Sequence, residues 1–291
     1  MFETGARPVF LLSFLSAALL AQSGSGERAA WNQPVKPFRI IGNVYYAGAS
    51  GVASYLITTP EGHVLLDGGL PETAPQIEKN VAALGFELKD VKYLLNSHAH
   101  FDHAGGLAEL KRASGAQMVA SRKDGELIEA GRSEMYGDSP DSSFPTVKVD
   151  RFVNDGDKVE LGGATLTAHL TPGHTKGCTT WATRVSEGGK TYNVVFYCST
   201  TAPGYRLIHN KKYPQMVSDY EHSFAVLLAL PCDVFLGPHP TFFHMQEKLA
   251  RMKKGGPNPF IDSGEMHALV LDSQQDFQRE LIRQQGRGVV K

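Results

Sequence analysis

From Phe38 onward the apolar residues come in short β-branched and aromatic runs, RIIGNVYYAG, VASYLITTP and HVLLDGG, each closed by Gly, Pro or Asn. That punctuation predicts a meander of strands. The period then changes. Ile77, Val81 and Leu84 share one helical face within residues 71–84, and Gly85 is placed to end that helix. VKYLL (91–95) returns to strand, Leu107–Ala113 to helix, and AQMVAS (116–121) to strand. Residues 132–145, RSEMYGDSPDSSFP, are turn-rich and aperiodic and read as a long surface loop.

The second half repeats the style. VDRFVNDGDKVEL (149–161) and ATLTAHLTP (164–172) read as hairpin strands, and TTWATRV and YNVVFYC flank a turn at Glu187–Lys190. Helical periodicity covers Tyr220–Leu230, begins again at Glu247–Lys254, and runs from Met266 to Gln285 with Leu269, Leu271, Phe277 and Leu281. CDVFLGP (232–238) is a strand between them. Each half is a set of strands closed by helices. The expected fold is α/β, two sheets packed face to face with helices on both outer sides. No linker divides the chain, so residues 24–291 are expected to form one domain.

Residues 9–21, VFLLSFLSAALLA, follow Arg7 and precede small residues. The run has signal-peptide length and is short for a membrane span. Residues 1–23 are therefore expected to be a signal peptide, with cleavage after Ser23 or after Ala21, which places the mature protein in the periplasm or outside the cell. No other stretch could span a membrane. The 291 residues carry a net charge of −1, which advertises no basic face for nucleic acid. Three cysteines, Cys178, Cys198 and Cys232, leave at least one unpaired, and three free buried thiols are the default expectation.

The chemistry concentrates in LLNSHAHFDHAGGL. His98 and His100 alternate on a loop after a strand, so both can face one metal ion. Asp102 and His103 open the next helix and can turn to a second ion, while Gly105 and Gly106 let the backbone pass closely. Imidazole and carboxylate suit Zn²⁺, and catalytic zinc takes three protein ligands and keeps a position for water. His174 in LTPGHT and His239 in LGPHP stand just past strand ends and supply the missing two. The expected sets are His98, His100 and His174 for one zinc, and Asp102, His103 and His239 for the other. All six are candidate catalytic residues.

H-x-H-x-D-H-x-G-G, followed by His174 and His239, resembles the metallo-β-lactamase superfamily. The resemblance implies a four-layered αβ/βα sandwich. It does not fix the substrate, because the superfamily holds lactamases, glyoxalase II, lactonases and nucleases. Members of the glyoxalase II and lactonase types carry a metal-bridging Asp at the end of the strand that here is YNVVFYC. This chain has Cys198, Ser199, Thr200 and Thr201 there. With His98 and His103 present, it resembles subclass 3 of the class B β-lactamases, whose ligands are all His or Asp.

That resemblance implies two zincs per chain, a hydroxide between them that opens the β-lactam ring, and no covalent intermediate. It implies that Ser199 and Thr201 contact the substrate carboxylate, that Tyr205 assists the oxyanion, and that Asp67 lies beneath the metals and supports the ligand loop. Cys198 competes with Ser199 for the inward position, and Ser199 is favoured because His103 already fills that coordination. Cys232 lacks the partner it has in some members and is expected to stay a free thiol. The loop 132–145, with Met135, Tyr136 and Phe144, is a candidate rim. The expected partner is a small-molecule β-lactam and the expected state a monomer. The alternatives are a hydrolase of lactones or thioesters, and a zinc-binding protein with little activity.

Overall fold

The computed structural model of the protein describes residues 26–288; the segment 1–23, expected from the sequence to be a signal peptide, lies outside the described residues. A helical turn, α1 (26–31), leads into the meander β1 (Phe38–Ile41), β2 (Val44–Tyr46), β3 (Tyr55–Thr59) and β4 (Gly62–Leu66). Helix α2 (Ala74–Ala83) connects to β5 (Val91–Leu95). The short α3 (Phe101–Ala104) and α4 (Leu107–Ser114) connect to β6 (Gln117–Ser121), which runs directly into α5 (Arg122–Ala130). Two-residue strands β7 (Arg132–Ser133) and β8 (Ser142–Ser143) pair within the following loop, before β9 (Arg151–Val153). The second half holds β10 (Lys158–Leu161), β11 (Ala164–Leu170), β12 (Thr179–Glu187), β13 (Lys190–Phe196), α6 (Met216–Ala229), β14 (Val234–Leu236), α7 (Met245–Met252) and α8 (Glu265–Gly288).

Seven strands form one sheet in the order β1-β2-β3-β4-β5-β6-β9, and five form the other in the order β10-β11-β12-β13-β14. Side chains of the first sheet sort by the period of two that a pleated strand imposes. Tyr55, Ile57, Val64, Leu66, Leu95 and Val119 join the main core with Val159, Leu166, Trp181 and Val194 of the second sheet. Their neighbours Leu56, Leu65, Leu94 and Met118 join a separate core with Ile77 and Val81 of α2, Leu107 and Leu110 of α4, and Leu127 and Ile128 of α5. Helices α6 and α8 pack through Tyr220, Phe224 and Phe277, the Phe277 ring lying 4.7 Å from Tyr220. The expected α/β architecture of helix-flanked sheets is the observed one.

Several local readings shift. Only part of 149–161 forms the expected hairpin strand with 164–172: β10 pairs with β11 in the second sheet, whereas β9 lies parallel to β6 in the first. Helix α5 went unread because Asp124–Gly125 imitates a turn. Its glycine is required by packing, since a Cβ there would meet the Phe152 ring. Tyr136 and Phe144 of the 132–145 loop are buried in the two cores rather than displayed on a rim. Among the described residues, no helix is long and apolar enough to cross a membrane.

The cysteine expectation is corrected. Cys178 and Cys198 form a disulfide, with Cα atoms 5.9 Å apart, and Cys232 alone is free and buried. The antiparallel register of β12 and β13, Trp181 opposite Phe196, brings positions 178 and 198 together, and no spacing in the sequence reports that register. Closing a loop of sequence separation 20 stabilises by about 2–4 kcal/mol. A Cys178→Ser/Cys198→Ser double variant is expected to melt roughly 5–12 °C below the parent. Reductant should lower the parent's melting temperature similarly and leave the double variant unmoved. A variant melting with the parent would show that the bond is dispensable.

Candidate metal centre

Strand direction places the ligands. β4, β5 and β6 are mutually parallel, so the segments leaving their carboxyl ends emerge at one edge of the first sheet. In the second sheet β11 and β13 both run antiparallel to β12, and β14 is parallel to β13, so β11, β13 and β14 also end together. Asp67 follows β4, residues 98–103 follow β5, His174 follows β11, Ser199 follows β13 and His239 follows β14. The two edges are joined at the ligand loop. Trp181 Nε1 donates to the Asn96 carbonyl (3.1 Å), and the Thr179 backbone N–H donates to the Ser97 carbonyl (2.8 Å).

The six predicted ligands come together as two groups. Ligating atoms of His98, His100 and His174 lie within 4.8 Å of one another, as do those of Asp102, His103 and His239. The hydrogen bonds assign the ring nitrogens, because a carbonyl only accepts. His100 Nε2 donates to the Glu134 carbonyl (3.4 Å), His174 Nδ1 to the Thr201 carbonyl (2.8 Å) and His239 Nδ1 to the Gly51 carbonyl (2.8 Å). The Ser97 hydroxyl donates to Asp67 Oδ2 (2.6 Å) and so accepts from His98 Nδ1 (3.0 Å). Each of these four histidines therefore presents its other nitrogen as a lone pair, the tautomer fixed by an outer partner as metal-binding histidines require.

In the second group, His103 Nε2 lies 3.3 Å from His239 Nε2 and 3.2 Å from Asp102 Oδ2, with His239 Nε2 3.6 Å from the same oxygen. Three acceptors converging in a buried space repel one another unless a cation, or a proton standing in for one, lies among them. These residues fit a metal ion. The electrostatics agree. Burial, reinforced by the neighbouring imidazoles, holds His98 and His174 well below the usual histidine range, and burial lowers His100 to about 4. They are neutral at neutral pH, the form that binds metal. Burial opposes ionisation of Asp102, but His103 and the other imidazoles outweigh it and leave that carboxyl well below its usual range.

Asp67 lies beneath the ligand loop. It accepts from the Asn96 amide (3.0 Å), the Ser97 backbone N–H (2.7 Å) and the Ser97 hydroxyl, and its Oδ2 is 4.0 Å from His103 Nδ1. Its φ of 62° is left-handed, a conformation that Asp tolerates better than most side chains. Gly106 permits the close crossing expected of the glycine pair, since a Cβ there would collide with the Gly68 carbonyl.

Ser199 and Thr201 sit side by side. Their hydroxyls are 3.1 Å apart, and Thr201 Oγ1 is 3.2 Å from His174 Nδ1. Thr200 turns the other way, to the Tyr197 hydroxyl (2.5 Å). Cys198 is held in the disulfide and fully buried, so its sulfur is not a ligand. Tyr205 is buried and its hydroxyl donates to the His174 carbonyl (3.0 Å), a contact that orients the ligand segment. Sequence reasoning missed three contributors. Glu134 lends a backbone carbonyl, which no side-chain pattern reports. Trp31 packs 5.6 Å from the His239 ring, and Asp124 accepts bonds from both ligand loops.

Residues 47–184 match the metallo-beta-lactamase superfamily. The chain is 44% identical to BJP-1, a subclass B3 metallo-β-lactamase of Bradyrhizobium japonicum, with a TM-score of 0.83 over 89% of this chain and 98% of that one. It is 41% identical to the FEZ-1 metallo-β-lactamase of Legionella gormanii, with a TM-score of 0.84 over 87% and 98%. A hydroxyacylglutathione hydrolase of Rhodopseudomonas palustris is 33% identical over 121 residues, which span 42% of this chain and only 39% of that relative's length. The ligand geometry and the near-complete overlap with BJP-1 place this chain in the metallo-β-lactamase superfamily.

Proposed function

We propose that this protein is a zinc-dependent β-lactamase that opens the ring of β-lactam antibiotics without a covalent acyl-enzyme. The observation that carries the reading is the donor set. All six ligands are His or Asp, they converge in two groups of three, and no carboxylate stands at 198–201 to bridge them. The similarity to BJP-1 and FEZ-1 across nearly their whole length supports it. Two zincs per chain are proposed. Residues 1–23 would direct export to the periplasm or beyond, the mature domain 24–291 would act as a monomer, and antibiotic resistance would follow for a host.

Zinc lowers the pKa of bound water from ~15.7 to roughly 7 and so supplies a nucleophile near neutral pH. The chain's residues set the rest. His98, His100 and His174 would hold one cation, which when bound would supply a Lewis acid for the β-lactam carbonyl. Asp102 is the one carboxylate of the six and the group able to accept a proton from the attacking water. His103 and His239 would complete, with Asp102, the ligand set of a second cation, whose charge would steady the leaving nitrogen. Ser199 and Thr201 offer paired hydroxyls to the substrate carboxylate. Tyr205, engaged with the His174 carbonyl, is assigned to orienting that ligand and not to the oxyanion.

The hydroxyacylglutathione hydrolase match supports a second reading, thioester hydrolysis, though it spans less than half of this chain. Zinc-loaded protein is expected to turn over a penicillin, a cephalosporin and a carbapenem. A chelator should abolish this and added zinc restore it. Chelator-sensitive turnover confined to thioesters or lactones would overturn the β-lactamase reading, and zinc binding without turnover would favour a binding protein. Ser199→Ala removes one hydrogen bond to a carboxylate, about 1–1.5 kcal/mol, so KM should rise roughly 5–13-fold with kcat little changed. A KM unmoved across all three substrates would remove Ser199 from substrate binding.

A further inference from the structure

Asp67 supports the ligand loop from one side, and a second buried carboxylate, Asp124, meets it from the other. Asp124 stands in the first turn of α5 and is 1% exposed. Its Oδ2 accepts from the Ala99 backbone N–H (2.9 Å) and the Thr175 hydroxyl (2.6 Å), and its Oδ1 from the Gly177 backbone N–H (2.8 Å). Ala99 lies between two members of the three-histidine group, and Thr175 follows the third. One carboxylate thus bridges segments 76 residues apart in the chain. Ser121 at the start of α5 adds a bond to the Gly177 carbonyl (2.5 Å). A Cβ on Gly177 would collide with Ser121 Oγ and with the backbone and carboxylate of Asp124, so the approach leaves no room for a side chain. The far face of α5 is anchored in the core by Leu127 and Ile128.

We infer that Asp124 is a positioning residue for the three-histidine group, fixing the distance between the loop of His98 and His100 and the loop of His174. The inference rests on the metal-centre reading above. Asp124 touches none of the six ligand side chains. It acts by holding the backbone on either side of them, and it makes no contact with the group of Asp102, His103 and His239 beyond the loop they share. Outer partners of this kind govern metal affinity by 10–100-fold. A ligand set held to a fraction of an ångström depends on such support.

Zinc affinity, read by competition with a chromophoric chelator, tests this without any substrate. A His239→Ala background leaves the three-histidine group intact, and a His174→Ala background leaves the Asp102–His103–His239 group intact. Asp124→Asn keeps the size of the side chain but turns an amide towards the donors. It is expected to weaken zinc about 10–100-fold in the first background and less than about twofold in the second. Thr175→Val, which deletes a single bond, should weaken the first group roughly 3–10-fold, and it decides the question if the Asn variant does not fold. Folded variants with unchanged first-group affinity would overturn the proposal, and so would equal losses in both backgrounds. A parent chain that binds no zinc would instead overturn the metal reading itself.

Discussion

The structure turns on a segment that has to be buried although it is polar. Residues 96–103 carry four candidate metal ligands into the seam between two apolar layers, where each unpaired backbone or side-chain polar atom costs about 1–3 kcal/mol. Neighbouring elements pair with them. Trp181 and Thr179 of the second sheet take the carbonyls of Asn96 and Ser97, while Asp67 and Asp124 take the N–H groups of Ser97 and Ala99. The same bonds that make burial tolerable also dock one sheet on the other. Docking of the sheets and shaping of the site therefore depend on the same bonds.

Burial of this kind sets the electrostatics. Apolar surroundings keep most of the histidines neutral, and outer acceptors fix which nitrogen of each ring carries the proton. His103 is the exception. Burial pushes it down, but Asp102 and then Asp67 pull it above its usual value, so without a cation the second group favours a proton. Asp102, His103 and His239 would hold a divalent ion in place of that proton. The first group lacks an anion among its ligands and is held by geometry alone, which is why its supporting loops matter so much.

What the sequence disclosed follows the range of the interactions. Strand and helix periods are local, so the alternation in LITTP and HVLLD and the Ile77–Val81 face were legible, and with them the layered fold. The convergence of the six candidate ligands was legible because H-x-H-x-D-H packs four donors into six positions, and because His174 and His239 sit beside chain-stopping Gly and Pro. What stayed hidden depends on register and backbone. The pairing of Cys178 with Cys198, the crossing of β9 to the first sheet and the carbonyl of Glu134 at His100 are properties of long-range hydrogen bonding. Asp124 was hidden twice, by a turn-like Asp-Gly and by partners 25 and more residues away.

The corner at 198–201 shows how one covalent choice settles a functional one. Read from the sequence, either Cys198 or Ser199 could face the metals, and each choice implies a different ligand set. The disulfide removes the ambiguity physically. It ties Cys198 to Cys178 and turns its sulfur towards the Ser97 carbonyl (3.3 Å), into the buried side of the strand end. Thr200 is drawn back by Tyr197. Ser199 and Thr201 are left together on the opposite side, and the Thr201 carbonyl accepts from both His174 and the Tyr220 hydroxyl (2.7 Å). The segment that presents the hydroxyls is thereby the segment that orients a ligand, so a displacement on one side of this corner reaches the other.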